Sequence, residues 1–172
     1  MDLSVNISSI TGSFIDYPSR EDMCISIYMS GCDGLCVNCQ NKELQNSCVG
    51  DKYDFQKLIN ILPQFEKRYM TKKICILGGD PLYTKNIDFT RYLLYNTGDK
   101  YDFCVYTGYD IDHVIHNRIT GFKYVKCGRY VESLSQQSLK TDNYMQLASS
   151  NQIIYNDRYQ QLTQNGIIRF KE

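Results

Sequence analysis

The chain has no net charge: 19 Lys and Arg offset 19 Asp and Glu, and the pI is near 6.7. That balance excludes a broad field of the kind that gathers nucleic acid or an anionic membrane, and leaves only local basic patches. No apolar run approaches the ~20 residues that cross a bilayer. Met1-Asp2-Leu3-Ser4-Val5-Asn6 has neither a basic n-region nor an apolar h-region, so no signal peptide is expected and the cytoplasm is the expected compartment. No repeat, low-complexity stretch or linker interrupts the sequence. Histidine is scarce, at His113 and His116 only.

What is present fits a globular protein. At 172 residues, 42% hydrophobic and 22% charged, the chain suits one domain around one core, spanning 1–172. Eight cysteines would suit a disulfide scaffold in a small secreted protein. Without an export signal, free thiols are expected instead. Cys24, Cys75 and Cys104 sit in apolar, strand-like runs and read as buried thiols acting as small hydrophobes.

Strand and helix alternate. Strands are predicted at Met23–Met29, Lys73–Leu77, Tyr101–Tyr106 and Phe122–Lys126, with a further one at Gly166–Phe170 in the tail. Helices are predicted from Phe55 to about Leu62, capped by Asp54 and broken or kinked by Pro63, then from Asn86 to about Tyr95, and around Asp110–Asn117. The alternation argues for parallel β/α units. A closed eight-fold barrel takes roughly 200–250 residues or more, so an open partial barrel of the α/β class is expected.

After the first predicted strand comes Ser30-Gly31-Cys32-Asp33-Gly34-Leu35-Cys36-Val37-Asn38-Cys39-Gln40-Asn41, a C-x3-C-x2-C run. Three close thiolates can hold a metal centre and leave one coordination position open. An iron–sulfur cube normally takes four cysteines, so with three, one iron is free to bind a small molecule. Structural zinc is the bland alternative, with Cys24 or Cys48 as fourth ligand, although zinc knuckles usually come in pairs and no second pair exists here. Gly78-Gly79-Asp80-Pro81-Leu82 follows another strand. Two glycines let a ligand approach the backbone, and free N–H and C=O groups suit an amino-acid head, but the same residues also make a simple turn. Tyr106-Thr107-Gly108-Tyr109 and Lys126-Cys127-Gly128-Arg129-Tyr130 close two later strands. Arg129 or Lys126 would neutralise a carboxylate, or stand as a solvated charge.

Together these runs resemble the radical S-adenosylmethionine (SAM) superfamily, and within it the activating proteins of anaerobic (class III) ribonucleotide reductases. Ser150-Asn151-Gln152 adds to the subfamily resemblance, which covers about 10–158 and leaves a tail at about 159–172. The resemblance implies a [4Fe–4S] cluster on Cys32, Cys36 and Cys39, and SAM near Asn38, Gln40, Gly78, Gly79, Asp80, Thr107 and Arg129. It also implies reductive cleavage of SAM, a glycyl radical raised on the reductase large subunit, and a low-potential donor such as flavodoxin. The chain departs from the pattern at three places. Asp16-Tyr17-Pro18-Ser19 replaces Asp-Gly-Pro-Gly, Asn38 stands where Gly or an aromatic is common, and Gln40 where Tyr or His is common. Two other readings stay open: a radical SAM enzyme acting on another protein, peptide or small molecule, and a non-catalytic zinc or iron–sulfur interaction module.

Overall fold

A computed structural model describes residues 3–20 and 23–170. Met1 and Asp2, and the last two residues of the expected 1–172 domain, lie outside the described residues. In chain order the elements are β1 (Ser4–Ser13), β2 (Cys24–Met29), β3 (Asp51–Asp54), α1 (Phe55–Tyr69), β4 (Lys73–Gly78), α2 (Ile87–Thr97), β5 (Asp102–Tyr106), α3 (Ile111–His116), β6 (Tyr124–Cys127), β7 (Leu139–Lys140), β8 (Tyr144–Gln146), β9 (Ile153–Asn156) and β10 (Ile167–Arg169). Seven strands form one sheet in the order β3-β1-β2-β4-β5-β6-β9, and three form a second, β10-β8-β7.

The parallel centre is β2-β4-β5-β6. Side chains alternate across a strand, and here both faces are buried, as parallel strands require. On one face Ile25, Ile27, Met29, Ile74, Ile76, Phe103, Val105 and Val125 build the main core. The helices cover it through Leu58 and Leu62 of α1, Phe89, Leu93 and Leu94 of α2, and Val114 of α3. Each fully buried aliphatic contributes about 1.5–3 kcal/mol. The alternate residues Cys24, Cys75, Leu77 and Cys104, with Tyr28, Tyr106 and Tyr124, make a second cluster on the inner face. The three thiols are free and buried, as the sequence suggested.

Two segments cover the inner face. Residues 14–19 cross one end of it. There the Tyr17 ring meets Tyr124 edge-on at 5.6 Å, and the Asp16 carbonyl accepts from the Tyr106 hydroxyl at 2.6 Å. The β10-β8-β7 sheet covers the other side, with Met145 and Ile168 packed toward Tyr106 and Tyr124.

The structure corrects the sequence reading in two ways. The sheet is mixed, because β1, β3 and β9 join it antiparallel, and none of the three was foreseen. Second, α1 runs through Pro63 to Tyr69. Pro63 removes one helical N–H, but Phe65 and Tyr69 extend the apolar face onto the core and offset that loss. Asp54 caps the helix as expected, accepting from Lys57 N at 2.7 Å.

Asp54→Ala is expected to destabilise the fold by about 1 kcal/mol. Leu62→Ala should cost about 2–5 kcal/mol. Urea midpoints at unchanged m-value read both.

Candidate functional site

The strands β2, β4, β5 and β6 all end on one side of the sheet, and the residues that follow them close around a cavity of about 370 Å³. That volume is within the range of small-molecule sites. Cys32, Cys36, Cys39, Gln40, Gly78, Gly79, Asp80, Thr107 and Arg129 all line it. Of the residues singled out from sequence, Asn38 is not among the lining.

The cysteine loop is fixed by backbone bonds to its surroundings. Gly31 N donates to Leu44 O at 2.7 Å, Cys32 N to Gln45 O at 3.2 Å, and Asp80 N to Gly31 O at 2.8 Å. The buried Asn86 amide bridges the two loops, donating to Ser30 O at 3.0 Å and to Asp80 O at 2.9 Å. Sequence reading gave Asn86 only a helix start; its acceptors lie on loops that no local pattern connects to it. Gly78 and Gly79 are required here by the protein itself. A Cβ on Gly78 would strike the Met29 carbonyl, and φ there is +115°, while one on Gly79 would lie 2.5 Å from Gly31 O.

Asp80 is buried and its carboxylate is occupied. Oδ1 accepts from Leu82 N at 2.9 Å and from the Thr107 hydroxyl at 2.9 Å, and Oδ2 accepts from Gly108 N at 2.8 Å. Burial pushes the Asp80 carboxyl up, against these hydrogen bonds, which draw it down. The Thr107 hydroxyl is thereby committed to Asp80, so neither side chain is free to turn toward a ligand.

Arg129 is likewise committed. Its guanidinium makes a two-pronged pair with Asp33, Nη1 to Oδ1 at 2.8 Å and Nη2 to Oδ2 at 2.6 Å. The same group lies 5.7 Å from the Tyr109 ring centroid, and Tyr109 stacks on His113 at 4.0 Å. Arg129 therefore braces the cysteine loop from the end of β6, and the carboxylate it neutralises is that of Asp33. Asn151 and Gln152 hold the loop that carries it, through Arg129 O at 2.9 Å and Gly128 O at 3.2 Å.

Asn38 has φ +54°, in the left-handed region that Gly and Asn enter most readily. That accounts for Asn standing where Gly is common. Its amide donates to Glu132 at 2.8 Å, on the outer side of the loop, so Asn38 secures the loop and does not reach the cavity.

The donor set suits an iron–sulfur cube. Cys32, Cys36 and Cys39 are free, half-buried thiols on one cavity, whereas Cys48 is exposed and outside it. Among the described residues no three His, Cys, Asp or Glu side chains gather as ligands of a single ion would. A cube takes each thiolate at a separate iron, which three free thiols on one cavity can supply. Burial raises the Cys32 thiol, and the Asp80 and Asp33 charges add to that, against a hydrogen bond from the Gly34 backbone. A bound cation would reverse that balance.

A protein-family profile described as a 4Fe-4S single cluster domain matches residues 21–155, a span that contains every cavity residue named above. The anaerobic ribonucleoside-triphosphate reductase-activating protein of Pasteurella multocida (strain Pm70) is 25% identical over 145 residues, covering 81% of this chain and 91% of that protein. The protein of the same name from Haemophilus influenzae (strain ATCC 51907 / DSM 11121 / KW20 / Rd) is 26% identical over 140 residues, covering 76% and 85%.

The Arg129 hydrogen bonds hold the Asp33 carboxyl down at about 2, against an ordinary 3.8. A depressed folded value means that the pair contributes fully above pH 3.8 and fades as pH falls through about 2. In Arg129→Gln the Asp33 carboxyl should titrate back toward 3.8, read by carboxyl carbon NMR.

Proposed function

We propose, from the premise that this chain belongs to the 4Fe-4S single cluster domain family, that it is a radical SAM activase of an anaerobic ribonucleotide reductase. The observation that carries this reading is that three free thiols share one cavity with the Gly78-Gly79-Asp80 turn. The names of the two relatives supply the target class, a ribonucleoside-triphosphate reductase. In this reading the four parallel strands and their helices are the core of an open partial barrel, in a single domain working in the cytoplasm.

Cys32, Cys36 and Cys39 would hold three irons of a [4Fe–4S] cluster. Such a cluster, reduced by a donor such as flavodoxin, would supply one electron for cleavage of the sulfonium C–S bond of SAM to methionine and a 5′-deoxyadenosyl radical, the species that would take a glycine α-hydrogen from the partner reductase to give 5′-deoxyadenosine. The chain's own residues bind and orient. Gly78 and Gly79 lie on the cavity wall with no side chain in front of their backbone. Asp80 fixes that turn against β5. Gln40, exposed at the cavity, would contact SAM mainly through backbone. Leu77, Met145 and Leu147 give the cavity an apolar wall that excludes water from the nucleoside portion. Thr107 and Arg129 act on the ligand through the residues they position, Asp80 and Asp33.

Anaerobic reconstitution tests the reading. The wild-type protein should take up about four irons and four sulfides and release 5′-deoxyadenosine when given dithionite and SAM. Cys36→Ala should abolish that product, and Cys48→Ala should leave it unchanged. Uptake of zinc in place of iron, or equal loss in both variants, would contradict the ligand assignment.

A further inference from the structure

The charge pair on the cysteine loop touches two of the three candidate iron ligands. Asp33 directly follows Cys32, and the Cys32 thiol donates to Asp33 Oδ1 at 3.7 Å. Arg129 takes both oxygens of the same carboxylate. The side-chain contacts that favour the charged guanidinium are with Asp33 first and with the Cys36 sulfur after it. One cation therefore spans from the carboxylate beside Cys32 to the sulfur of Cys36. Arg129 and Asp33 are 31% and 24% exposed at their side chains, so water screens this pair less than an open surface pair. The Tyr109 ring, 5.7 Å from the guanidinium, backs it on another side.

Ligation of iron changes what this pair faces. A ligating cysteine is a thiolate, so Cys32 would no longer donate to Asp33, and the carboxylate would face negative sulfur. Arg129 offsets that charge and offers N–H groups toward the Cys36 sulfur. Net charge and hydrogen bonds to the sulfurs are among the quantities that set an iron–sulfur potential. An added electron makes the centre more negative, so a cation beside a ligating sulfur favours the reduced state and a carboxylate favours the oxidised one. Asp80 is the other carboxylate that bears on Cys32, and donors from Leu82, Thr107 and Gly108 already fill its oxygens.

We infer that the Asp33–Arg129 pair sets the reduction potential of the cluster on Cys32, Cys36 and Cys39, with Arg129 raising it and Asp33 lowering it. The inference rests on the iron–sulfur reading above and gives two residues of this chain a role toward that group. Both are positioning residues, since each acts through a ligating cysteine.

A redox titration of the anaerobically reconstituted chain without SAM tests it, followed by electron paramagnetic resonance of the reduced cluster. Arg129→Met should make reduction about tenfold less favourable, a midpoint lower by about 59 mV for one electron. Asp33→Asn should move the midpoint the other way. Arg129→Lys keeps the charge without the two-pronged fork and should stay closer to the wild-type midpoint than Arg129→Met. Unchanged midpoints in Arg129→Met and Asp33→Asn overturn the inference and leave the pair as a brace alone. Shifts of the same sign in both also overturn it, because loss of the brace moves the loop alike in either variant. If Arg129→Met holds no iron, Asp33→Asn decides: a raised midpoint supports the inference, and an unchanged or lowered one overturns it. A wild-type chain that takes up no iron–sulfur cluster overturns the cluster reading and the inference together.

Discussion

One buried carboxylate holds the cavity together. Asp80 accepts from Leu82 N, the Thr107 hydroxyl and Gly108 N, and its own N–H reaches Gly31 O. The ends of β2, β4 and β5 therefore meet at a single residue. Each donor it satisfies would cost about 1–3 kcal/mol if left buried and unpaired. The cysteine loop inherits its position from this junction, because Gly31 directly precedes Cys32 and Asn86 bridges both loops. A loop that must present three thiols to one cofactor needs such support, since small displacements at a metal site are expensive in affinity.

The cavity lies on the inner face because of a difference in side-chain size. The face toward the helices is filled with Ile, Leu, Met, Phe and Val. The inner face carries small thiols at Cys24, Cys75 and Cys104, with tyrosines standing around them. Packing is closed at one end by residues 14–19, where Asp16 also accepts from the Ser26 hydroxyl at 2.6 Å. Toward the strand ends the sheet opens into glycine turns, and space remains. Charge is paired at the loop, where Arg129 meets Asp33, while Asp16, Asp80 and Lys126 also line the cavity.

Much of this was legible in the sequence. The central strands stand out as apolar runs ending in Gly or Thr-Gly, and the Asp54 cap marks a helix start that the structure keeps. Asp110 also caps its helix, accepting from His113 N at 2.9 Å, a role the sequence reading did not assign. The cysteine spacing pointed to an iron–sulfur centre, and the family match agrees. Strand β1 was not legible, because Ser4–Ser13 is mostly Ser, Thr, Asn and Gly, with only Val5 and Ile7 buried. It is a strand because β2 and β3 pair with it on both sides. The side-chain roles were least legible. Arg129 and Asp33 are 96 positions apart and Thr107 and Asp80 are 27 apart, so a motif shows each residue without the partner that occupies it. Asn38 owes its place to its left-handed backbone conformation and to its Glu132 bond, neither of which a local motif displays.

The most direct measurement is electron paramagnetic resonance of an anaerobic ribonucleotide reductase large subunit incubated with the reconstituted protein, SAM and a reductant. A glycyl-radical signal on the reductase is expected, lost when SAM is omitted or when Cys36 is replaced by Ala. Release of 5′-deoxyadenosine with no radical on the reductase would contradict the assigned target, and the absence of both would contradict radical SAM chemistry in this chain.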